Sequence, residues 1–315
     1  MGRYILGRLL QFVPTLVIVS IVVFLMVRAI PGDPAHIMLG PTAKPEQIEA
    51  LRVKMGLEQP LWTQYLWWIE GVLRGDLGRS WINNFPVAEL IRQKLPATVA
   101  LAFGSMLVAI LIAIPLGIIP ALRPGGWMDR FAAVYNGLIL AIPTFWLGVL
   151  LVLVVSLRLG WLPPSGYVPF TENPLGAIRL LILPSLTLGA YLSAIFARFL
   201  RSAISEILAQ DYVRTAASKG LTERAIVRAH ILRNALIPVV TMLGIQFGGL
   251  LGGAVIVEAI FDWPGLGRLL VTSISSRDYA VVQGTILLAA SAFLIVNLLT
   301  DLTYGLLDPR IRTEL

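Results

Sequence analysis

Long, unbroken apolar runs alternate with short polar segments along the chain. The runs fall near residues 9–30, 98–122, 132–157, 180–200, 236–260 and 281–307. Crossing about 30 Å of hydrocarbon as a helix takes roughly 20 apolar residues, and each run meets that length. Their apolar positions are continuous and do not alternate every second residue, which excludes barrel strands and leaves helices as the structure that satisfies the backbone in lipid. The pattern predicts an all-α integral membrane protein with six transmembrane helices. The first run, Leu16 to Ile30, carries no small-residue cleavage pattern and ends in Pro31-Gly32-Asp33-Pro34, so it reads as a retained anchor and not a signal peptide.

Two polar stretches interrupt this pattern. The first, about 31–97, mixes both signs of charge and predicts two short helices. Thr42 to Met55 has Pro45 near its start, Gly56 just past its end, and Ile48, Leu51 and Met55 on one face. Trp62 to Leu73 carries Trp62, Tyr65, Trp67 and Trp68, which fits an aromatic belt at headgroups or a docking surface for an external partner. Residues 1–97 therefore form an N-terminal span with an outer loop, and 98–315 a five-helix membrane domain.

The second stretch, Asp211 to Pro238, is basic and too polar to cross a bilayer. Leu208 to Lys219 suits a helix, Gly220 is a C-terminal stop, and Thr222 is an N-cap for a second helix running into Arg233. Val213, Ala216, Ala217 and Gly220 form a stripe of mostly small residues, which would let another protein's backbone come close. Arg214, Lys219, Arg224 and Arg228 surround it and could pair with acidic rims or with headgroups. A membrane-surface helix is the competing reading, opposed by the scarcity of bulky anchors.

Composition agrees with the pattern: the 315 residues are 57% hydrophobic and 14% charged, with mean hydropathy +0.81. The net charge of +7 in such a chain marks inner loops and headgroups, and nucleic acid is not expected as a partner. Arg3 and Arg8, Arg123 and Arg130, the cluster from Arg198 to Arg233, and Arg310 and Arg312 all fall on one side of a six-span topology. The positive-inside rule makes that side the cytoplasm and places both termini there. With no cysteine, disulfides, thiolate metal sites and cysteine nucleophiles are excluded.

Polar groups inside the spans are few. Asn136, Gln246 and Glu258 are the candidates for lining a translocation path; Arg28, Glu258 and Asp301 sit near span ends, where snorkelling or local pairing competes with a proton relay. Prolines and glycines recur in the spans, from Pro115 and Gly117 to Gly252 and Gly253, consistent with close helix packing or with a moving bundle. The chain has no phosphate loop, no HExxH and no GxSxG, and its two histidines, His36 and His230, fall on opposite sides, so no catalytic or metal site is expected. An active transporter built this way must draw its energy from another subunit.

The Asp211–Pro238 stretch resembles the EAA loop of membrane subunits of ATP-binding-cassette importers. Arg214-Thr215-Ala216 stands where the broad pattern has Glu-Ala-Ala, followed by three residues, Gly220-Leu221, and later His230-x-Leu232-Arg233-Asn234-Ala235-Leu236-Ile237-Pro238. This is how the peptide and nickel branch reads. Further segments agree with that branch: Gly75-Asp76-Leu77-Gly78-Arg79-Ser80, Pro143-Thr144-Phe145, Ile182-Leu183-Pro184-Ser185, Phe261-Asp262-Trp263-Pro264-Gly265-Leu266-Gly267-Arg268, Arg277-Asp278-Tyr279 and Asp308-Pro309-Arg310-Ile311-Arg312.

The resemblance implies a non-catalytic permease subunit in a bacterial cytoplasmic membrane, the one with the extra span and outer loop, for dipeptides, oligopeptides or glutathione-like solutes. It implies a homologous second permease, two ATPase subunits that hold ATP and Mg, and an extracytoplasmic solute-binding protein. Arg214, Thr215, Ala216, Ala217, Ser218, Lys219, Gly220, Leu221, Thr222 and Glu223 would be the segment that couples to the ATPase. ATP closing the ATPase pair would drag Thr215 to Arg233 and act through rigid fourth and fifth spans to favour an outward-open state. The competing class is a secondary transporter or channel working alone, which would be sensitive at Glu258 or Asp301.

Overall fold

The computed structural model describes residues 2–29, 33–40 and 42–307. Pro31-Gly32 and the Asp308–Arg312 motif, with Arg310 and Arg312, lie outside the described residues, as do the side chains of Arg3 and Arg8. Among the described residues the regular structure is helical, with one isolated antiparallel bridge between Arg79 and Pro86.

Helix α1 (Gly2–Ala29) is followed by three short helices, α2 (Pro34–Leu39), α3 (Pro45–Lys54) and α4 (Leu61–Leu73). The bundle then comprises α5 (Val87–Leu122), α6 (Trp127–Ala141), α7 (Thr144–Leu151, continued by a π-helical turn Val152–Arg158) and α8 (Pro174–Leu208). After α9 (Asp211–Ser218), α10 (Glu223–Ile226) runs through a π-helical stretch, Val227–Leu232, into α11 (Arg233–Leu251). Then come α12 (Val255–Ile260), α13 (Leu266–Ser275) and α14 (Tyr279–Leu307). Four stretches suffice alone to cross a membrane: Leu10–Ala29, α5, α8 and Tyr279–Thr303. Two bent pairs, Trp127–Ala141 with Thr144–Arg158 and Glu223–Leu236 with Pro238–Leu251, bring the total to six if each is one span.

Two predicted spans are therefore not the continuous helices expected. The run 132–157 is broken into α6 and α7 at an angle of 102°. Pro143 lacks a backbone N–H and disfavours helical backbone in the residue before it; Ile142 is accordingly extended, with φ −84° and ψ 126°. The run 236–260 is helical only to Leu251. There Gly252 and Gly253 turn the chain, and Gly253, at φ +98°, lies so close to α13 that a Cβ would fall 2.6 Å from the Gly267 backbone. The remaining spans hold, with α5 and α8 extending well past the predicted 98–122 and 180–200. In the loop after the first span both predicted helices are present, and α2 is an additional one, its start fixed by Asp33, whose Oδ1 accepts the Ala35 N–H at 3.1 Å.

Small residues let the spans touch. A Cβ on Gly189 of α8 would sit 2.8 Å from the Ser105 carbonyl of α5, and one on Gly117 would meet Leu200 at 2.9 Å. On the other side of the bundle Gly244 and Gly248 of α11 lie against Thr300 and Phe293 of α14. These glycines serve close packing, the first of the two readings open to the sequence. An apolar groove of about 350 Å³ lies between the two pairs, lined by Phe103 and Met106 of α5, Leu243 and Phe247 of α11, and Leu299 and Thr303 of α14.

Candidate functional site: the cationic elbow between α8 and α11

The elbow begins where α8 ends. Its first helix is shorter than expected: Ala209 and Gln210 separate α8 from α9, so Leu208 belongs to the span and the elbow helix starts at Asp211. The turn after α9 is closed by two backbone bonds, Gly220 N–H to the Ala217 carbonyl at 3.0 Å and Leu221 N–H to Ala216 at 3.4 Å. That pairing requires a left-handed residue between them, and Gly220 takes it at φ +82°. Nothing lies within 4 Å of where its Cβ would be, so the glycine answers to backbone conformation and not to crowding.

Thr222 stands at the N-cap position of α10 with extended backbone but makes no side-chain cap bond; its carbonyl instead accepts from Ala225 and Ile226, at 2.9 and 3.0 Å. The second elbow helix does not stop at Arg233. It passes through the π-helical stretch into α11, with a 41° bend next to Pro238. The fifth span is thus a jointed rod and not the rigid one expected.

Beneath the elbow lies a core of Ala121 from the end of α5, Leu200 and Ile204 from α8, Val213 and Ala216 from α9, and Ile226, Ile231, Ala235 and Val239 from the second helix and α11. This corrects the reading of the small-residue stripe. Val213 and Ala216 face their own chain and are closed to a partner, while Ala217 and Gly220 are exposed. Of the ten predicted coupling residues, Ala216 is buried; Arg214, Thr215, Ala217, Ser218, Lys219, Gly220, Leu221, Thr222 and Glu223 all face outward.

The exposed crest is small and only lightly charge-paired. Thr215 and Ser218 turn their hydroxyls back onto the Asp211 and Arg214 carbonyls, at 2.9 and 3.0 Å, and leave little side chain standing above the helix. Arg214 and Asp211 approach at 3.9 Å as an exposed pair, an arrangement worth little in water. Two residues given no role in the sequence reading tie the elbow to the span: Asn234 donates from Nδ2 to the Tyr212 hydroxyl at 3.2 Å and to the His230 carbonyl at 2.8 Å. The second bond satisfies a carbonyl in the π-helical stretch. An amide one turn beyond His230 was the available signal.

The path candidates are not drawn into one site. Asn136 is buried on α6 and Gln246 half-buried on α11. Glu258 is fully enclosed on α12, a short helix that is not itself part of a span, where it holds a folded-back loop. Its Oε2 accepts the Arg268 N–H at 2.7 Å, its carbonyl accepts the Trp263 N–H at 2.8 Å, and Gly265 leaves room for the carboxyl group. Trp263 in turn donates from Nε1 to the Ala97 carbonyl at 2.8 Å, and Thr98 Oγ1 accepts the Leu266 N–H at 2.7 Å. Burial pushes the Glu258 carboxyl above the usual range, against the pull of backbone bonds from Arg268, Ala254 and Gly267 and of the Thr98 hydroxyl. Such a knot fixes backbone and offers no path for a solute. Arg28, the other outer charge, lies 5.2 Å over the Phe24 ring, a local pairing.

Residues 113–313 match the family model of the binding-protein-dependent transport system inner membrane component, and residues 1–102 match that of the N-terminal region of such membrane components. The chain belongs to this family. It is a multi-pass, non-catalytic permease subunit of an ATP-binding-cassette importer. It is 45% identical over 312 residues to the glutathione transport system permease protein GsiC of Escherichia coli strain K12, covering 99% of both chains, and 44% identical over the same length to that of Shigella flexneri serotype 5b. Among solved structures, the inward-facing MetNI methionine ABC transporter in its CY5 SeMet soak crystal form matches with TM-score 0.57 at 19% identity, over 70% of this chain and 96% of that one. That likeness speaks to the fold. Family membership brings ATPase and binding-protein partners and a second permease.

Proposed function

We propose that this permease forms one half of a translocation path for short peptides of the glutathione type, and that its elbow is the surface an ATPase subunit grips. The observation that carries the coupling reading is the crest Ala217–Leu221. It is exposed, with small side chains at Ala217, Ser218 and Gly220 beside Lys219 and Leu221, and it rests on a core reaching α5, α8 and α11, so a push on the crest is delivered to three spans. The substrate class is supported by end-to-end similarity to permeases named for glutathione transport. In this reading the elbow and both termini are cytoplasmic, residues 1–97 are an accessory span and outer loop on a 98–315 core, and ATP and Mg belong to the ATPase subunits.

The α8 helix is the stiff arm of the coupling, 35 residues without a break. The α10–α11 arm is jointed and can change angle as the ATPase pair closes. Mild detergent extraction of the permease should bring down ATPase subunits and a second permease chain. In vesicles the assembled complex, with its binding protein, should hydrolyse ATP faster when glutathione or a dipeptide is added. Uptake by the permease alone, collapsed by an uncoupler, would overturn the assignment.

A further inference from the structure

The geometry points to a lipid-binding surface outside the translocation machinery: α4 lies in the plane of the headgroup layer at the end of the first span, with its Trp62–Leu66–Ile69–Leu73 edge among acyl chains. Two sets of contacts place it. The Tyr65 hydroxyl bonds Ser20 Oγ of α1 at 2.8 Å, and the Phe24 ring packs against Tyr65 and Trp68 with centroids 5.5 and 5.8 Å apart. Phe24 stands five residues before the end of α1 at Ala29, about 8 Å along the axis at 1.5 Å per residue. Ser20 stands nine residues before it, about 14 Å, so the Tyr65 and Trp68 side chains reach into the hydrocarbon and α4 is not held above it.

With that side turned to α1, Trp62, Leu66 and Leu73 are left 67%, 52% and 83% exposed at helical spacing, with Ile69 half-buried between them. On α1, Ile18, Ile21, Val22 and Leu25 are likewise exposed on a stretch apolar enough to cross a membrane. On the remaining side Glu70 pairs with Arg74, and Gln64 donates to the Leu57 and Gln59 carbonyls to fasten the preceding turn. A helix with one edge on a span, one apolar edge and one charged edge is built for the bilayer surface. Its tryptophans suit the interface.

The chain has no cysteine, so single labels can be placed without other changes. Trp62→Cys, Leu66→Cys, Leu73→Cys and Glu70→Cys, in the full chain in phosphatidylethanolamine–phosphatidylglycerol vesicles, would each carry a nitroxide. Collisions with oxygen should exceed those with a water-soluble nickel chelate at the first three positions, and the order should reverse at the fourth. Dominant nickel collisions at all four would overturn the proposal by placing the edge in water; low collisions with both reagents at the first three would overturn it by showing a protein partner. A second measurement uses the native tryptophans: lipids brominated on their chains should quench the unlabelled protein, and Trp62→Phe should remove part of that quenching. Unchanged quenching in Trp62→Phe would also count against it.

Discussion

Ser80 donates its hydroxyl to the carboxylate of Asp278, a residue 198 positions later in the chain. The other carboxylate oxygen of Asp278 accepts the Trp81 N–H at 3.0 Å, and Trp81 packs edge-on against Tyr279 at 5.6 Å. The loop before α5 is thus clamped to the start of α14 through buried polar groups. Two motifs from opposite ends of the chain, ending in Ser80 and centred on Asp278, turn out to be one structure.

Asp278→Ala should open that clamp. It leaves the Ser80 hydroxyl and the Trp81 N–H without their acceptor, each a loss of about 1–3 kcal/mol if the site stays closed to water. Asp278→Asn keeps an acceptor and should cost less. Protease susceptibility of residues 79–85 in detergent, with the thermal unfolding midpoint, would show it. Equal protection in wild type and Asp278→Ala would refute the clamp.

Ala217→Arg should abolish uptake by the assembled importer while the chain still inserts in the membrane at wild-type level, because the residue is exposed and outside the core beneath the elbow. Gly220→Ala tests the turn instead of the contact. It forces a side chain into left-handed backbone at a cost of about 1–2 kcal/mol, so uptake should fall partially. Normal uptake with correctly inserted Ala217→Arg protein would sink the coupling assignment.

Glu258 gives a pH dependence whose sign follows from its burial. The folded protein holds this proton to higher pH than the unfolded chain, whose carboxyl titrates near the ordinary 4.5. The stability from this group is therefore fully present below that value and declines as pH rises toward the folded titration. Glu258→Gln should flatten that decline in unfolding midpoints measured on the acid side of neutrality. It should also leave ATP-driven uptake insensitive to an uncoupler, as in the wild type. Identical slopes for the two proteins would show that Glu258 does not titrate as the burial implies.

Orientation is tested by Ser218→Cys, placed on the exposed face of α9 in a chain with no other thiol. An impermeant maleimide applied to intact cells should leave it unlabelled, and permeabilisation should expose it fully. Labelling from outside would reverse the topology and remove the elbow from the ATPase side.

Much of this architecture was legible because the physics behind it is local. Continuous apolar length announces a span, and Gly220 and Gly56 mark real helix ends. What escaped was long-range. No window of sequence shows that Val213 and Ala216 would be claimed by Leu200 and Ile204, so the stripe looked wholly available to a partner. Glu258 looked like a charge at a membrane edge because its partners, the Arg268 amide and Thr98, come from a folded-back loop and a different helix. Pro143 was visible, but whether a proline kinks a span or breaks it depends on what its neighbours accept. Here α7 turns away to pack on α8 and α12.

The glycine contacts make two tight helix couples within the bundle. With Gly189 and Gly117 sealing α5 to α8, and Gly244 and Gly248 sealing α11 to α14, neither couple has room to slide internally. The groove between them is lined largely by side chains, among them Phe103, Met106, Leu243 and Phe247. Met242, Leu243, Phe247 and Leu250 of α11 pack onto a core of Met106, Leu192 and Phe196, so the couples meet through side chains. Any change of angle between the couples falls on these side chains and on the jointed α10–α11 arm, and the glycine seams stay closed.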